Sequence, residues 1–254
     1  MAKFLPGLKA APAAEDGKMP FMAHLGELRH RIVVGLIALG VGFAVTFNFS
    51  ERIITWLARP LPVKLAFLEP TEPFWVNMKV ALVAGAFLVL PVLLYEVWAF
   101  IAPGLLPHER KFALPFVILS TVCFFIGATF ALTVIVPFAV TFLVSYKTEN
   151  LVATISVNRY VDFVLKFTIA FGLVFELPLA LTLGARMGLV TPEFLSKNRK
   201  YAILLCFLAA AILTPTPDAF NQLLMAGPLI LLYELGIVAA RLFGRRRPAP
   251  APAA

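Results

Sequence analysis

Charge is scarce in this chain, and cysteine scarcer. Charged residues fill 14% of its 254 positions, whereas hydrophobic residues fill 61%, with a mean hydropathy of +0.90. Soluble domains average about a quarter charged, and a domain of this size leaves much of its surface in water. A soluble globule is therefore excluded. The two cysteines, Cys123 and Cys206, both lie inside apolar runs, which excludes a disulfide framework and leaves packed or lipid-facing thiols. No GxxxxGK[ST] loop is present, so that route of nucleotide hydrolysis is closed. There is no HExxH, and His24, His30 and His108 sit at the edges of apolar runs rather than on one buried helix. No serine within an apolar run has a plausible base. Intramembrane protease and metalloenzyme chemistry are thus excluded, and neither enzymatic activity, nor cofactor, nor metal is expected. No internal repeat is visible. The first apolar stretch starts too late and runs too long for a cleavable leader.

What is abundant is apolar sequence in stretches of about 20 residues, the length of membrane helices rather than of alternating barrel strands. Six spans are expected, at about 31–49, 74–101, 113–137, 159–183, 200–214 and 219–241. The net charge of +8 comes from basic residues at the ends of these stretches, which suits orientation and anionic lipid, not a nucleic-acid groove. Fifteen of the 22 basic residues fall on one side, in the N-terminal segment, the 2–3 and 4–5 loops and the tail. The positive-inside rule makes that side, with both termini, cytoplasmic. Residues 1–20 and 243–254 read as disordered from their Ala, Pro, Gly and charge content, leaving 21–242 as one membrane domain. Pro91, Pro115, Pro137, Pro178 and Pro228 within or at the ends of spans predict a kinked, concave all-α bundle.

The fifth span is short. Its apolar run, Tyr201 to Leu213, has 13 residues and covers about 20 Å of a hydrocarbon core about 30 Å thick. The hairpin it forms with the sixth span through "TPTPD" (214–218) either thins the bilayer, takes a partner, or buries its loop short of the far surface.

Ionisable groups within spans carry a cost that marks them as functional candidates. Glu176 lies about 15 Å along a helix from Arg186, near the midplane; it is either functional or a carboxyl bonded to a neighbouring span. Glu96 and Glu234 lie nearer the cytoplasmic face and read as paired or snorkelling groups. Asp162 and Lys166, four apart, are expected to neutralise each other, and Lys79 to snorkel or to pair with Glu69 or Glu72. Asn221 and Gln222 open the sixth span with amides able to bond a further helix.

Two carboxylates stand within basic clusters: Glu27 in "MAHLGELRHRIV" (22–33) and Glu109 in "LLPHERKF" (105–112). Paired carboxylates at a membrane surface match a ligand with guanidinium groups, whose forked donors a carboxylate accepts two at a time. Local salt bridges, such as Glu27 with Arg31 at i, i+4, explain the same pattern, and spacing alone does not separate the two.

A resemblance bears on that choice. "HLGELRHRI" (24–32) and "YEVWAFIAPGLLPHERK" (95–111), followed in order by "FGLVFELP" (171–178) and "LTPTPDAFNQ" (213–222), with "PTEPF" (70–74) between the first two, resemble motifs of TatC, the polytopic subunit of the twin-arginine protein translocase. The resemblance covers about residues 20–242. It implies six spans, cytoplasmic termini, short last two helices in a cupped bundle, and a bacterial inner-membrane location. It implies recognition of the twin-arginine signal peptide of folded precursors, with export driven by the proton motive force. On the matching motifs, Glu27 and Glu109 are implied as acceptors for the arginine pair, with Arg29 and Arg31 supporting that surface and Phe100 and Pro103 shaping the loop. Glu176 matches the family's intramembrane acid. Gln222, Thr214 and Asp218 match an outer patch receiving TatA-like and TatB-like single-span partners, and Pro60 an outer cap that organises the complex with further TatC copies. "TPTPD" is longer than the "TPPD" of some relatives, so either Thr214 or Thr216 is the equivalent position. The competing class is a proton-coupled small-solute transporter using Glu176, for which inverted repeats and broken helices around a midplane site are the usual signs.

Overall fold

The computed structural model describes residues 21–61, 64–101, 113–145, 154–213 and 219–244. The helix α1 (Phe21–Phe47) starts ten residues before the apolar run expected to span. Charge does not end a helix, and at 1.5 Å per residue its 27 residues reach about 40 Å. The turn bearing Glu27, Arg29 and Arg31 is therefore an extension of the span itself. After a tight turn, α2 (Ser50–Leu57) and the two-residue strand β1 (Leu65–Ala66) lead into α3 (Glu72–Leu88). α3 bends by 61° into α4 (Leu90–Ile101). Pro91 has no N–H to give to the Phe87 carbonyl, and its ring crowds the preceding turn.

The third run forms α5 (Ala113–Phe130), a π-helical turn (Ala131–Ile135) and α6 (Val136–Ser145), continuing beyond the expected end. The wider turn precedes Pro137, which cannot bond the Thr133 carbonyl. Strand β2 (Ile155–Ser156) pairs in parallel with β1 and opens α7 (Val157–Phe175). Glu176 separates α7 from α8 (Leu177–Arg186), two residues before Pro178. Gly188, at φ +72°, closes α8, with Leu189 N–H donating to the Gly184 carbonyl at 2.9 Å. Thr191 caps α9 (Pro192–Lys197) through the Phe194 N–H. α10 (Arg199–Leu213) and α11 (Ala219–Phe243) complete the chain.

Helices α1, α5–α6, α7–α8 and α11 are long and apolar enough to cross a membrane, and the bent α3–α4 pair makes a fifth such unit. At 15 residues, α10 falls short of that length, as its sequence anticipates.

Lipid gives apolar side chains little reason to leave it, so close backbone contact has to hold such helices together. Gly127 of α5 lies against the Phe171 carbonyl of α7, and a Cβ on Gly172 would come within 2.6 Å of the Phe124 ring. Val76, Val80, Ile135, Val161, Val164, Phe171 and Met225 form the main buried cluster, drawn from α3, the π turn, α7 and α11. Outward-facing Leu36 and Ile37 remain more than 60% exposed, as suits a lipid-facing side of α1.

At the end of the bundle where α2 and the strand pair lie, a small cap is tied by polar groups. The Glu72 carboxylate accepts from Leu68 N–H at 3.2 Å and from the Ser156 hydroxyl at 3.1 Å, while Tyr160 donates to the Leu57 carbonyl at 2.7 Å.

Candidate functional site

The geometry around Glu27 begins at a glycine crossing. Antiparallel α1 and α3 meet at Gly42 and Gly85, and Thr46 Oγ1 donates across the pair to the Ala81 carbonyl at 2.7 Å. Arg31 lies eleven residues before Gly42, and Glu96 eleven after Gly85. Glu96 lies on α4, beyond the 61° bend, and α4 packs on α1 there, where a Cβ on Gly35 would stand 3.6 Å from Leu93 Cδ2; that contact brings the two side chains together. Arg31 Nη1 donates to Glu96 Oε2 at 2.9 Å, and its Nη2 to Glu27 Oε1 at 3.1 Å. One guanidinium thus lies between two carboxylates, one on its own helix and one on α4.

The trio is partly open: side-chain exposures are 25% for Arg31, 21% for Glu27 and 14% for Glu96. It is also incompletely satisfied, since Glu27 Oε2 and Arg31 Nε are buried without a hydrogen-bond partner among the described residues. Two negative charges face one positive charge. The local salt bridge Glu27–Arg31 is present, yet it leaves an acceptor over. Sequence spacing indicates the i, i+4 half of this arrangement. The Glu96 half comes from the packing of α4 on α1, and Glu96 by itself reads only as a paired group.

Arg29 and His30 are exposed, and Phe100 is half-buried in the last turn of α4. Glu109 and Pro103 lie outside the described residues, as do Thr214 and Asp218.

Glu176, at the break between α7 and α8, is held to α5 by the Ser120 hydroxyl, which donates to Oε2. Its Oε1 is buried without a hydrogen-bond partner among the described residues. Ser120 is 2% exposed and nothing in its apolar sequence context marks it. One turn further on, Cys123 joins Trp98, Phe116, Leu119, Pro178 and Leu183 in lining an apolar cavity of about 360 Å³. The Trp98 and Phe116 rings stack with centroids 4.3 Å apart.

Three expected ion pairs resolve differently from the sequence reading or more sharply than it. Asp162 is not taken by Lys166 on its own helix. Lys79 of α3 reaches it instead, at 2.7 and 2.9 Å, and also donates to Asn158 Oδ1 at 2.9 Å. The partner of Lys79 is therefore neither Glu69 nor Glu72. The α3–α7 packing places these groups face to face, which an i, i+4 rule cannot anticipate. Glu234 pairs with Arg199 at 2.7 Å, joining α11 to α10.

Gln222 Nε2 donates to the Phe207 carbonyl at 3.1 Å, so this amide fastens the α10–α11 hairpin. Pro60 is exposed and edges a cavity of about 140 Å³ beside Trp56 and Leu132. Among the described residues, no group of three or more His, Cys, Asp or Glu side chains is placed to hold a metal.

Residues 23–228 match the family model described as Sec-independent protein translocase protein (TatC). The chain is 46% identical to the TatC of Desulforapulum autotrophicum, over 92% of its own length and 88% of that protein's. It is 40% identical to the TatC of Carboxydothermus hydrogenoformans, over 89% and 95% of the two chains. A crystal structure of a twin-arginine translocase receptor, TatC, superposes with a TM-score of 0.77 at 39% identity, covering 86% of this chain and 98% of that one.

Proposed function

The chain belongs to the TatC family of Sec-independent protein translocase proteins, a family of membrane transport components rather than enzymes, and from this premise we propose that it is the receptor for twin-arginine signal peptides in its translocase. The arginine pair of a folded precursor docks from the cytoplasmic side onto Glu27 and Glu109, with Arg29, Arg31, Phe100 and Pro103 shaping the surface. The observation that carries this reading is the buried Glu27 Oε2, an acceptor without a donor among the described residues, in a site that already holds the Arg31 guanidinium. A carboxylate takes the arginine fork in a planar, two-bond geometry that lysine cannot reproduce.

The same reading makes α10 a span, giving six with both termini cytoplasmic in a concave bundle of the bacterial inner membrane. The outer ends of α10 and α11, with Gln222, Thr214 and Asp218, receive TatA-like and TatB-like single-span subunits, and the cap around Pro60 meets further copies of the chain. Glu176 is the intramembrane acid facing the concave side. With no nucleotide motif in the sequence the energy comes from outside the chain, and the family resemblance implies the proton motive force.

The test is photo-crosslinking of an Arg-Arg signal peptide to the full-length chain in membranes, with Glu27 and Glu109 changed singly to Ala and to Lys. The expected result is loss of crosslinking in each. Unchanged crosslinking in both would remove the site.

A further inference from the structure

Resting on that reading, we propose that Glu96 is a further guanidinium acceptor of the signal site, and that Arg31 is an internal occupant of the seat an incoming arginine takes. The argument starts from what Arg31 does now. Its two terminal nitrogens divide between Glu96 at 2.9 Å and Glu27 at 3.1 Å, which is the chemistry expected of a ligand arginine at the same carboxylates.

The occupancy is incomplete. A guanidinium has five donor hydrogens, and among the described residues Arg31 leaves Nε unpaired while Glu27 leaves Oε2 unpaired. Two carboxylates around one cation hold one negative charge in excess, partly screened from water at 14–25% exposure. Burying an unbalanced charge is costly, and a second cation relieves that cost. An arriving arginine therefore meets a vacancy at Glu27 and a competitor at Glu96. When it donates to Glu96, Arg31 swings towards solvent on its flexible stem. A site that holds its own arginine also rejects weaker cations, because a lysine must displace a two-carboxylate fork with a single ammonium.

The packing of α4 on α1 beyond the 61° bend sets this competition, since it brings Glu96 to Arg31. It also separates Glu96 from a merely structural clamp: a clamp gains nothing from removal of Arg31.

The experiment measures binding of a synthetic Arg-Arg signal peptide, and of its Lys-Lys counterpart, to the full chain in lipid nanodiscs. Glu96→Gln is expected to weaken the Arg-Arg peptide about tenfold, the effect of one charge-assisted bond. Arg31→Gln is expected to tighten it by a similar factor, and Arg31→Gln with Glu96→Gln to cancel that gain. Lys197→Gln removes the same charge from an exposed position on α9, outside the site, and is expected to tighten binding far less. Arg31→Lys keeps the charge but loses the fork, and it tightens binding in the same direction should the glutamine variant not fold. Equal tightening by Lys197→Gln overturns the inference, as does unchanged or weaker binding in both Arg31 variants, or native binding in Glu96→Gln. In those cases the receptor reading survives if Glu27→Gln and the Lys-Lys peptide still bind poorly. If both bind like the native pair, it is the receptor reading that fails.

Discussion

Gly42 and Gly85 pack so closely that a Cβ built on Gly42 would stand 2.6 Å from the Gly85 carbonyl oxygen, and one on Gly85 would stand 2.6 Å from the Phe43 amide nitrogen. Neither obstacle is a flexible side chain. Alanine at either position has to push α1 away from α3, and the Arg31–Glu96 pair joins the same α1 to α4, the continuation of α3 beyond its bend. Gly85→Ala is therefore expected to cost about 1–3 kcal/mol, the usual range for overpacking. It is also expected to weaken signal-peptide binding although residue 85 is remote from the peptide. Thermal unfolding and peptide titration of one nanodisc preparation check both. A change at Gly40, where a Cβ would meet nothing within 4 Å, serves as the comparison.

The cap yields a second expectation. Glu72 is 8% exposed and its two oxygens accept from Leu68 N–H and the Ser156 hydroxyl, so one carboxylate holds the segment after β1 against the start of α7. Glu72→Ala strands both donors and should destabilise the protein by about 2–3 kcal/mol, because lost bonds to a charged acceptor add to the desolvation of what remains. Glu72→Gln keeps one acceptor and should lose less. Unfolding midpoints of the two variants decide the order, and an equal loss would show that charge, not acceptor geometry, holds the cap.

Much of this arrangement was legible in the sequence, and the failures share one cause. The apolar runs, the prolines at breaks and the short α10 follow from periodicity, backbone chemistry and length, all of which act within a segment. The helix containing Glu27 begins well before the apolar run because a hydropathy reading marks where lipid begins, not where hydrogen bonding does. Lys79–Asp162, Arg31–Glu96 and Ser120–Glu176 each join different helices, and no spacing within one helix encodes them. Local i, i+4 logic assigned Asp162 to Lys166 and was wrong there; for Glu27 and Arg31 it was right but incomplete. The motif resemblance named Glu27 and Glu176 but neither Ser120 nor Glu96, which become visible only once helix packing fixes which faces meet.

The Lys79–Asp162 pair allows a direct measure of one such joint. Both side chains are well exposed, at 39% and 47%, so screening by water where it reaches them limits the gain. A double-mutant cycle with Lys79→Met and Asp162→Asn is expected to give a coupling of about 0.5–1 kcal/mol, the range found for polar contacts between membrane helices. The exchanged pair, Lys79→Asp with Asp162→Lys, should recover part of the stability lost by either single change. Recovery would be absent if Asn158, which also accepts from Lys79, were the dominant partner.

Gln222 and the length of α10 together set the last expectation. Fifteen residues cover about 22 Å, some 8 Å less than a typical hydrocarbon core. As a span, α10 must then draw the bilayer thinner or expose polar backbone at its ends, each ångström of mismatch costing a fraction of a kcal/mol. The Gln222 amide offsets part of this by donating to the Phe207 carbonyl, at the middle of α10, so that the start of α11 fastens its shorter neighbour at mid-length. The unfolding temperature should therefore rise in lipids with 14-carbon chains and fall in those with 20. Gln222→Leu should steepen that dependence: the fastening is lost while the mismatch stays, and α10 is freer to leave the bundle as the bilayer thickens. The comparison is of slopes rather than of single midpoints, which separates this effect from a general loss of stability. Parallel slopes for the native chain and the variant would show that the amide acts independently of the mismatch, and a flat native slope would remove α10 from the set of spans.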